Sequence, residues 1–161
     1  LYEYPDRVGL SAGSGEQMTP EAIIAAARAT LDTPFAHQGR KAGAALDCAG
    51  LLVHVAREVG FEPLDRTGYS PMPSGNQIEE ALQEHVKAGI LVRVPPAEMA
   101  PGDLFLMRFG GERFSRHLGI CAGDTMIHAW AIVDKVCEHL IDERWKRTIV
   151  RVYRFVGVDH G

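Results

Sequence analysis

The sequence predicts an α+β fold, and three observations carry the prediction. Apolar residues recur at helical spacing through the first half of the chain. The period switches to two after Gly89. The later apolar runs are separated by Pro-Gly, Gly-Gly and Gly-Asp turns. Helices first and strands afterwards keep the two kinds of element in separate stretches of chain, which is the α+β pattern. The 161 residues suit one domain with one sizeable core.

Residues 9–15, GLSAGSG, are small, polar and glycine-rich. They predict a flexible arm over residues 1–18 ahead of a single domain over residues 19–161. Thr19-Pro20-Glu21 is a helix start: a hydroxyl N-cap, proline at the first helical position, then an acid favoured by the helix dipole. Ile23, Ile24, Ala27 and Leu31 follow at helical spacing. After the loop TPFAHQGRKAGAAL, a second helix is expected from Asp47. Cys48, Leu52, Val55 and Val59 fall on one face of it, and Gly60 stops it. A third helix is expected from Asn76 to Ala88, with Ile78, Leu82 and Val86 on one face and Gly89 ending it. The runs ILVRV, DLFLMRF, RHLGICA, TMIHAW and IVRVYRFV then predict an antiparallel sheet. There is no internal repeat and no low-complexity tract.

Composition excludes several classes of function. With 46% hydrophobic and 24% charged residues the chain is an ordinary globular protein, neither fibrous nor disordered. No apolar run approaches the ~18 residues of a membrane span. Seventeen Lys and Arg against 21 Asp and Glu give a net charge of −4, which argues against nucleic acid as a partner, because phosphate binders carry a basic face. Cys48, Cys121 and Cys137 form no C-x-x-C pair, and an odd number in a chain of this size is no disulfide framework. The chain opens on Leu1 and reads as a fragment or processed form, so a signal peptide is neither read nor excluded.

If Asp47 is the N-cap, Cys48 lies in the first helical turn, where unpaired amides and the positive dipole end favour a thiolate. A depressed thiol pKa suits a nucleophile. Position and spacing fit a small buried hydrophobe on the apolar face equally well.

The segment RHLGICAGDTMIHAW predicts a hairpin turning at Gly123-Asp124, with Ala122 opposite Thr125, Gly119 opposite His128 and His117 opposite Trp130. Alternation then puts His117, Gly119, Cys121, Met126, His128 and Trp130 on one face. Leu118, Ile120, Ala122, Thr125, Ile127 and Ala129 share the other, which is the better core face. In this register the two histidines are diagonal neighbours, roughly 7–8 Å or less between Cβ atoms, so one imidazole can orient the other. Gly119 between them suggests a close approach by another backbone or a ligand. His54 and His85 are expected to be half-exposed helix residues, and His139 and His160 have no partner that the sequence assigns. A zinc site from Cys48, Cys121, His117 and His128 is the metal alternative. It lacks the paired spacing such sites use, so neither metal nor cofactor is called for.

Cysteine, then histidine, then a polar residue on the next strand, with the cysteine opening a helix that packs on a sheet, resembles the NlpC-type cell-wall peptidases of the papain-like superfamily. TPFAHQG, DCAGLLVHV, PGDLFLM and HLGI followed by MIHA carry the resemblance between residues 33 and 129. It implies a papain-like fold in which Cys48 is the nucleophile, His117 the general base and His128 the residue that orients the base. Phe35, His37, Asp47, Gly119 and Trp130 are the substrate-binding positions expected. The implied partner is the peptide stem of bacterial peptidoglycan, cut at the γ-D-glutamyl bond to a diamino acid, at the cell wall or in the periplasm. His37-Gln38 and Arg154-Phe155 are similar to the branch carried by phage tails and gene transfer agents, whose partners are tail proteins. The chain departs from the family at Ala49, where serine is usual, and at Phe35, where tyrosine is common. Amidase or acyltransferase chemistry on the same scaffold, or a catalytically silent tail or wall-binding module, are the other functions the residues allow.

Overall fold

The helical half is built as its caps require. In the computed structural model, which describes residues 18–70 and 75–160, Thr19 caps α1 (Pro20–Arg28) by accepting the Ala22 N–H at 3.2 Å. Asp47 caps α2 (Cys48–Glu58) by accepting the Gly50 N–H at 2.7 Å. The third helix, α3 (Gln77–Lys87), spans the segment that its periodicity predicts. Leu31 does not extend the first apolar face: α1 has ended by then, and the side chain is exposed. The arm expected over residues 1–18 lies, apart from Met18, outside the described residues.

Among the described residues, six strands form one antiparallel sheet: β3 (Leu91–Val94), β4 (Leu104–Met107), β5 (His117–Cys121), β6 (Thr125–Trp130), β7 (Lys135–Leu140) and β8 (Ile149–Phe155), in the order β3-β8-β4-β5-β6-β7. Ile120 opposite Ile127 and Cys121 opposite Met126 give β5 and β6 the register that the sequence predicts. Gly123 turns the hairpin with φ +97°, a left-handed conformation that only glycine adopts without strain, while the Ala122 N–H donates to Thr125 O. Two further elements lack a clear sequence signal. A two-stranded ladder, β1 (Arg40–Lys41) with β2 (Ala45–Leu46), is too short to show a period. Strand β7 is a sheet edge on which only Val136 is buried, so its apolar alternation is faint.

The helix-facing side of the sheet carries the main core, with Leu118, Ile120, Ile127 and Ala129 packed against Ile23, Leu51, Leu52 and Val55. This is the face expected. The opposite side is also buried: Phe105, Met107, Cys121 and Met126 form a second cluster with Ile141, closed by Trp145 and Ile149. The short helix α4 (Glu143–Lys146) brings Trp145 there, capped by Asp142. The histidine face is therefore a second, smaller core. Asp103, wholly buried before β4, is held by Arg154 of β8 through two hydrogen bonds at 2.7 and 2.8 Å.

Candidate active site

Cys48 is placed by the cap that starts its helix. Asp47 is buried and its carboxylate is fully engaged. Oδ1 accepts from Gly50 N–H and from Arg40 Nη1 at 3.0 Å, and Oδ2 accepts from Gln38 N–H at 2.9 Å and from the Tyr69 hydroxyl. The loop before the nucleophile is thereby tied to the helix and to the segment around residue 69. His37 and Gln38 extend that tie, each bonding Tyr69 O, at 2.8 and 2.9 Å.

A cavity of about 750 Å³ opens over the start of α2 and brings Cys48, His117 and Arg116 together with Phe35, His37, Asp47, Tyr69, Phe109 and Trp130. Four of the five substrate-binding positions expected from the sequence line it. Gly119 does not. A Cβ there would meet Met107 Cε at 3.1 Å, Phe105 Cδ2 at 3.4 Å and His128 Cβ at 3.6 Å, so the close approach is made by core side chains. Tyr69, which the sequence does not single out, supplies a phenol to the pocket in which Phe35 has none. The signal for it lies only in the fold, because it comes from a loop with no regular element.

The two histidines meet as the register requires: His117 Nε2 is 2.5 Å from His128 Nδ1, with both rings buried. A third histidine joins them. His128 Nε2 is 2.7 Å from His139 Nε2, and His139 Nδ1 is 2.9 Å from Leu140 O. Sequence reasoning leaves His139 unassigned because it lies on the weakly patterned edge strand β7. The pairing of Met126 with His139 and of His128 with Cys137 places it diagonal to His128 on the same sheet face. Trp130 stacks on His128 with ring centres 5.4 Å apart, and Trp145 meets both His128 and His139 edgewise or tilted, at 5.4 and 4.6 Å.

The electrostatics reverse one expectation. The Cys48 thiol is pushed up to about 12, first by burial and then by the neighbouring Asp47 carboxylate. Backbone hydrogen bonds from Leu118, Ala49 and Cys48 itself oppose the rise without cancelling it. The thiolate expected from the helix start is thus not the resting form, since desolvation and the capping charge outweigh the helix-end amides. The His117 imidazole is pushed down to about 4, first by burial and then by His139. His128 is lowered further, first by burial and then by its two histidine neighbours. The site at rest is a neutral thiol beside neutral imidazoles.

The zinc set Cys48, Cys121, His117 and His128 is not assembled, because Cys121 belongs to the second core cluster. All three cysteines are free thiols. Among the described residues, His128, Cys137 and His139 bring their donor atoms within 4.8 Å of one another. The two imidazole nitrogens face each other at 2.7 Å. Ligands of one tetrahedral zinc stand roughly 3.3 Å apart, given Zn–N bonds of about 2.0–2.1 Å. As folded, His128 and His139 are hydrogen-bonded directly to each other.

The NlpC/P60 family pattern matches residues 32–154. No curated protein sequence matches the chain. Among solved structures, an NlpC/P60 family protein from Bacillus cereus is similar with a TM-score of 0.63 at 16% identity, over 88% of this chain and 41% of that one. An NLP/P60 family protein, similar to a lipoprotein, from Staphylococcus aureus has a TM-score of 0.59 at 16% identity, over 92% of this chain and 46% of that one. The peptidoglycan hydrolase RipB from Mycobacterium tuberculosis has a TM-score of 0.58 at 19% identity, over 88% of this chain and 65% of that one. The chain thus spans less than half the length of the first two.

Proposed function

The chain belongs to the NlpC/P60 family, and on that premise we propose that it is a cysteine peptidase hydrolysing the peptide stems of bacterial peptidoglycan at the cell wall. The observation that carries the reading is one cavity holding Cys48 at a helix start and His117, whose Nε2 is held by His128. Two of the structurally similar proteins, RipB and SagA, are named as peptidoglycan hydrolases, which supports the substrate class. The γ-D-glutamyl bond to a diamino acid is the proposed point of cleavage.

The neutral resting pair sets the order of events. His117 takes the thiol proton as Cys48 Sγ bonds to the scissile carbonyl carbon, so the charged pair forms only with substrate in place. The protonated imidazole then gives that proton to the leaving amine as the C–N bond breaks. Water, deprotonated by His117, attacks the thioester, and release of the acid returns the proton to sulfur. The oxyanion is met by the Cys48 backbone N–H at the open end of α2. Among the described residues, Arg116 Nε is buried in the same cavity without a hydrogen-bond partner, a donor suited to a carboxylate of an acidic stem.

His37-Gln38 and Arg154-Phe155 give the proposal no tail partner. The first pair ties down Tyr69, and Arg154 holds Asp103. The test is mass spectrometry of peptidoglycan fragments after incubation with the chain and with its Cys48→Ala variant. New stem-peptide ends with the first and none with the second are expected. Release of whole stems from the sugar would move the activity to amidase chemistry, and equal digestion by both proteins would remove the nucleophile.

A further inference from the structure

The three-histidine chain has a direction, and one end of it sets that direction. Leu140 O, a backbone carbonyl, can only accept, so the His139 nitrogen 2.9 Å from it, Nδ1, must carry the proton. In the neutral ring that leaves His139 Nε2 as a lone pair. His128 Nε2, 2.7 Å away, must then donate to it, which leaves His128 Nδ1 as an acceptor. His117 Nε2, 2.5 Å from that acceptor, must donate in turn. Each ring nitrogen is the partner of the next, so a single tautomer propagates through three side chains on β5, β6 and β7. Its last consequence is that His117 Nδ1 carries no proton. That is the nitrogen left to receive one from Cys48.

We infer that His139 is a positioning residue of this site: anchored on Leu140 O, it holds His128 and, through it, His117 in the tautomer that makes His117 Nδ1 the base. The inference deepens the proposed peptidase reading and rests on it for the word base, whereas the tautomer order itself does not. His128 is wholly buried between Trp130 and Trp145, so no water surface offers its Nε2 an alternative acceptor while His139 is in place. Without His139 the buried Nε2–H loses its acceptor, and the His128 tautomer with the proton on Nδ1 gains weight. That proton faces His117 Nε2, which must then become the lone pair and move its own proton to Nδ1, against the thiol.

The test has two arms. In the intact chain at pH 7, ¹⁵N resonances of the histidine rings separate protonated from unprotonated nitrogens. His117 and His128 are expected protonated at Nε2 and His139 at Nδ1. This arm uses no substrate, so it stands even if the chain proves inactive on peptidoglycan. The second arm measures turnover of a soluble stem peptide. His139→Asn, whose amide oxygen still accepts, should keep kcat within about threefold. His139→Leu should lower kcat roughly 10- to 100-fold with KM little changed, by analogy with the loss of the outer partner of a metal-ligating imidazole. His139→Lys, which can only donate to His128 Nε2, should fall below His139→Leu. A proton on His117 Nδ1 in the intact chain overturns the inference. So does a folded His139→Leu protein with unchanged ring resonances and unchanged kcat. Correct resonances together with no turnover in the intact chain would instead count against the peptidase reading alone.

Discussion

Asp47 caps the helix that Cys48 opens, and the same carboxylate helps to keep the Cys48 thiol protonated. Cap and nucleophile are adjacent in the chain, so what starts the helix also opposes the thiolate. The thiol should therefore react slowly with iodoacetamide in the resting protein. Cys48 and Cys137 are both partly exposed, but Cys48 faces the Asp47 carboxylate whereas Lys135 opposes the rise at Cys137. At pH 7, Cys137 is therefore expected to alkylate before Cys48, with Cys48 accelerating as pH rises. Asp47→Asn, which keeps a competent N-cap and removes the charge, should raise the Cys48 rate several-fold at fixed pH. Peptide mass mapping after timed alkylation reads this directly. Selective labelling of Cys48 at pH 6 would contradict it.

The two histidines of the hydrogen-bonded pair His117–His128 should differ in what they tolerate. His117→Ala removes the base and should lower turnover by several orders of magnitude. His128 should accept Asn better than Ala, because an amide oxygen can still receive the His117 N–H. The expected order is His128→Asn, then His128→Ala, then His117→Ala, measured on one peptide after circular dichroism has confirmed folding. Full activity in His117→Ala would end the cysteine-peptidase reading.

Acid should destabilise the fold through the buried imidazoles. His117 has its pKa lowered from 6.5 to about 4, so below pH 6.5 the unfolded chain binds a proton that the folded chain refuses. Its contribution is intact above that value and is lost as pH falls toward 4. For His117 alone the loss is on the order of 2 kcal/mol by pH 5, at 1.36 kcal/mol per pKa unit. His128 acts in the same direction. Urea midpoints at pH 7.5 and pH 5 measure the effect, and equal midpoints would show that the rings are not held neutral.

Arg154 should matter for stability and little for chemistry. Asp103 has no exposed surface and is satisfied by Arg154 and the Ala100 N–H. Arg154→Leu strands that carboxylate, at a cost of about 3–5 kcal/mol. Because Arg154 does not line the cavity, the peptide KM of the folded fraction should be unchanged. A thermal melt of the variant with and without Asp103→Asn checks the cause: the second change should recover part of the loss. A single Arg154→Leu variant as stable as the parent would contradict the burial argument.

Helix starts at Thr19 and Asp47, the hairpin turn at Gly123-Asp124 and the side-by-side placement of His117 and His128 are legible in the sequence, because caps, turn residues and side-chain alternation act over a few neighbouring residues. Grouping Cys48 with His117 and His128 as one site comes from the family resemblance and not from those local signals. Only the tertiary structure decides what surrounds them. His139 reaches His128 because the edge strand β7 pairs with β6, and an edge strand with one buried residue leaves little periodic trace. Tyr69 reaches Asp47 across 22 residues of chain, from a loop that has no period at all. The protonation of Cys48 depends on desolvation, which is a sum over everything packed around the sulfur and has no counterpart in the spacing of letters. The helix-end amides that favour a thiolate are local and readable, whereas the burial that overrides them is collective and exists only once the helix lies on the sheet.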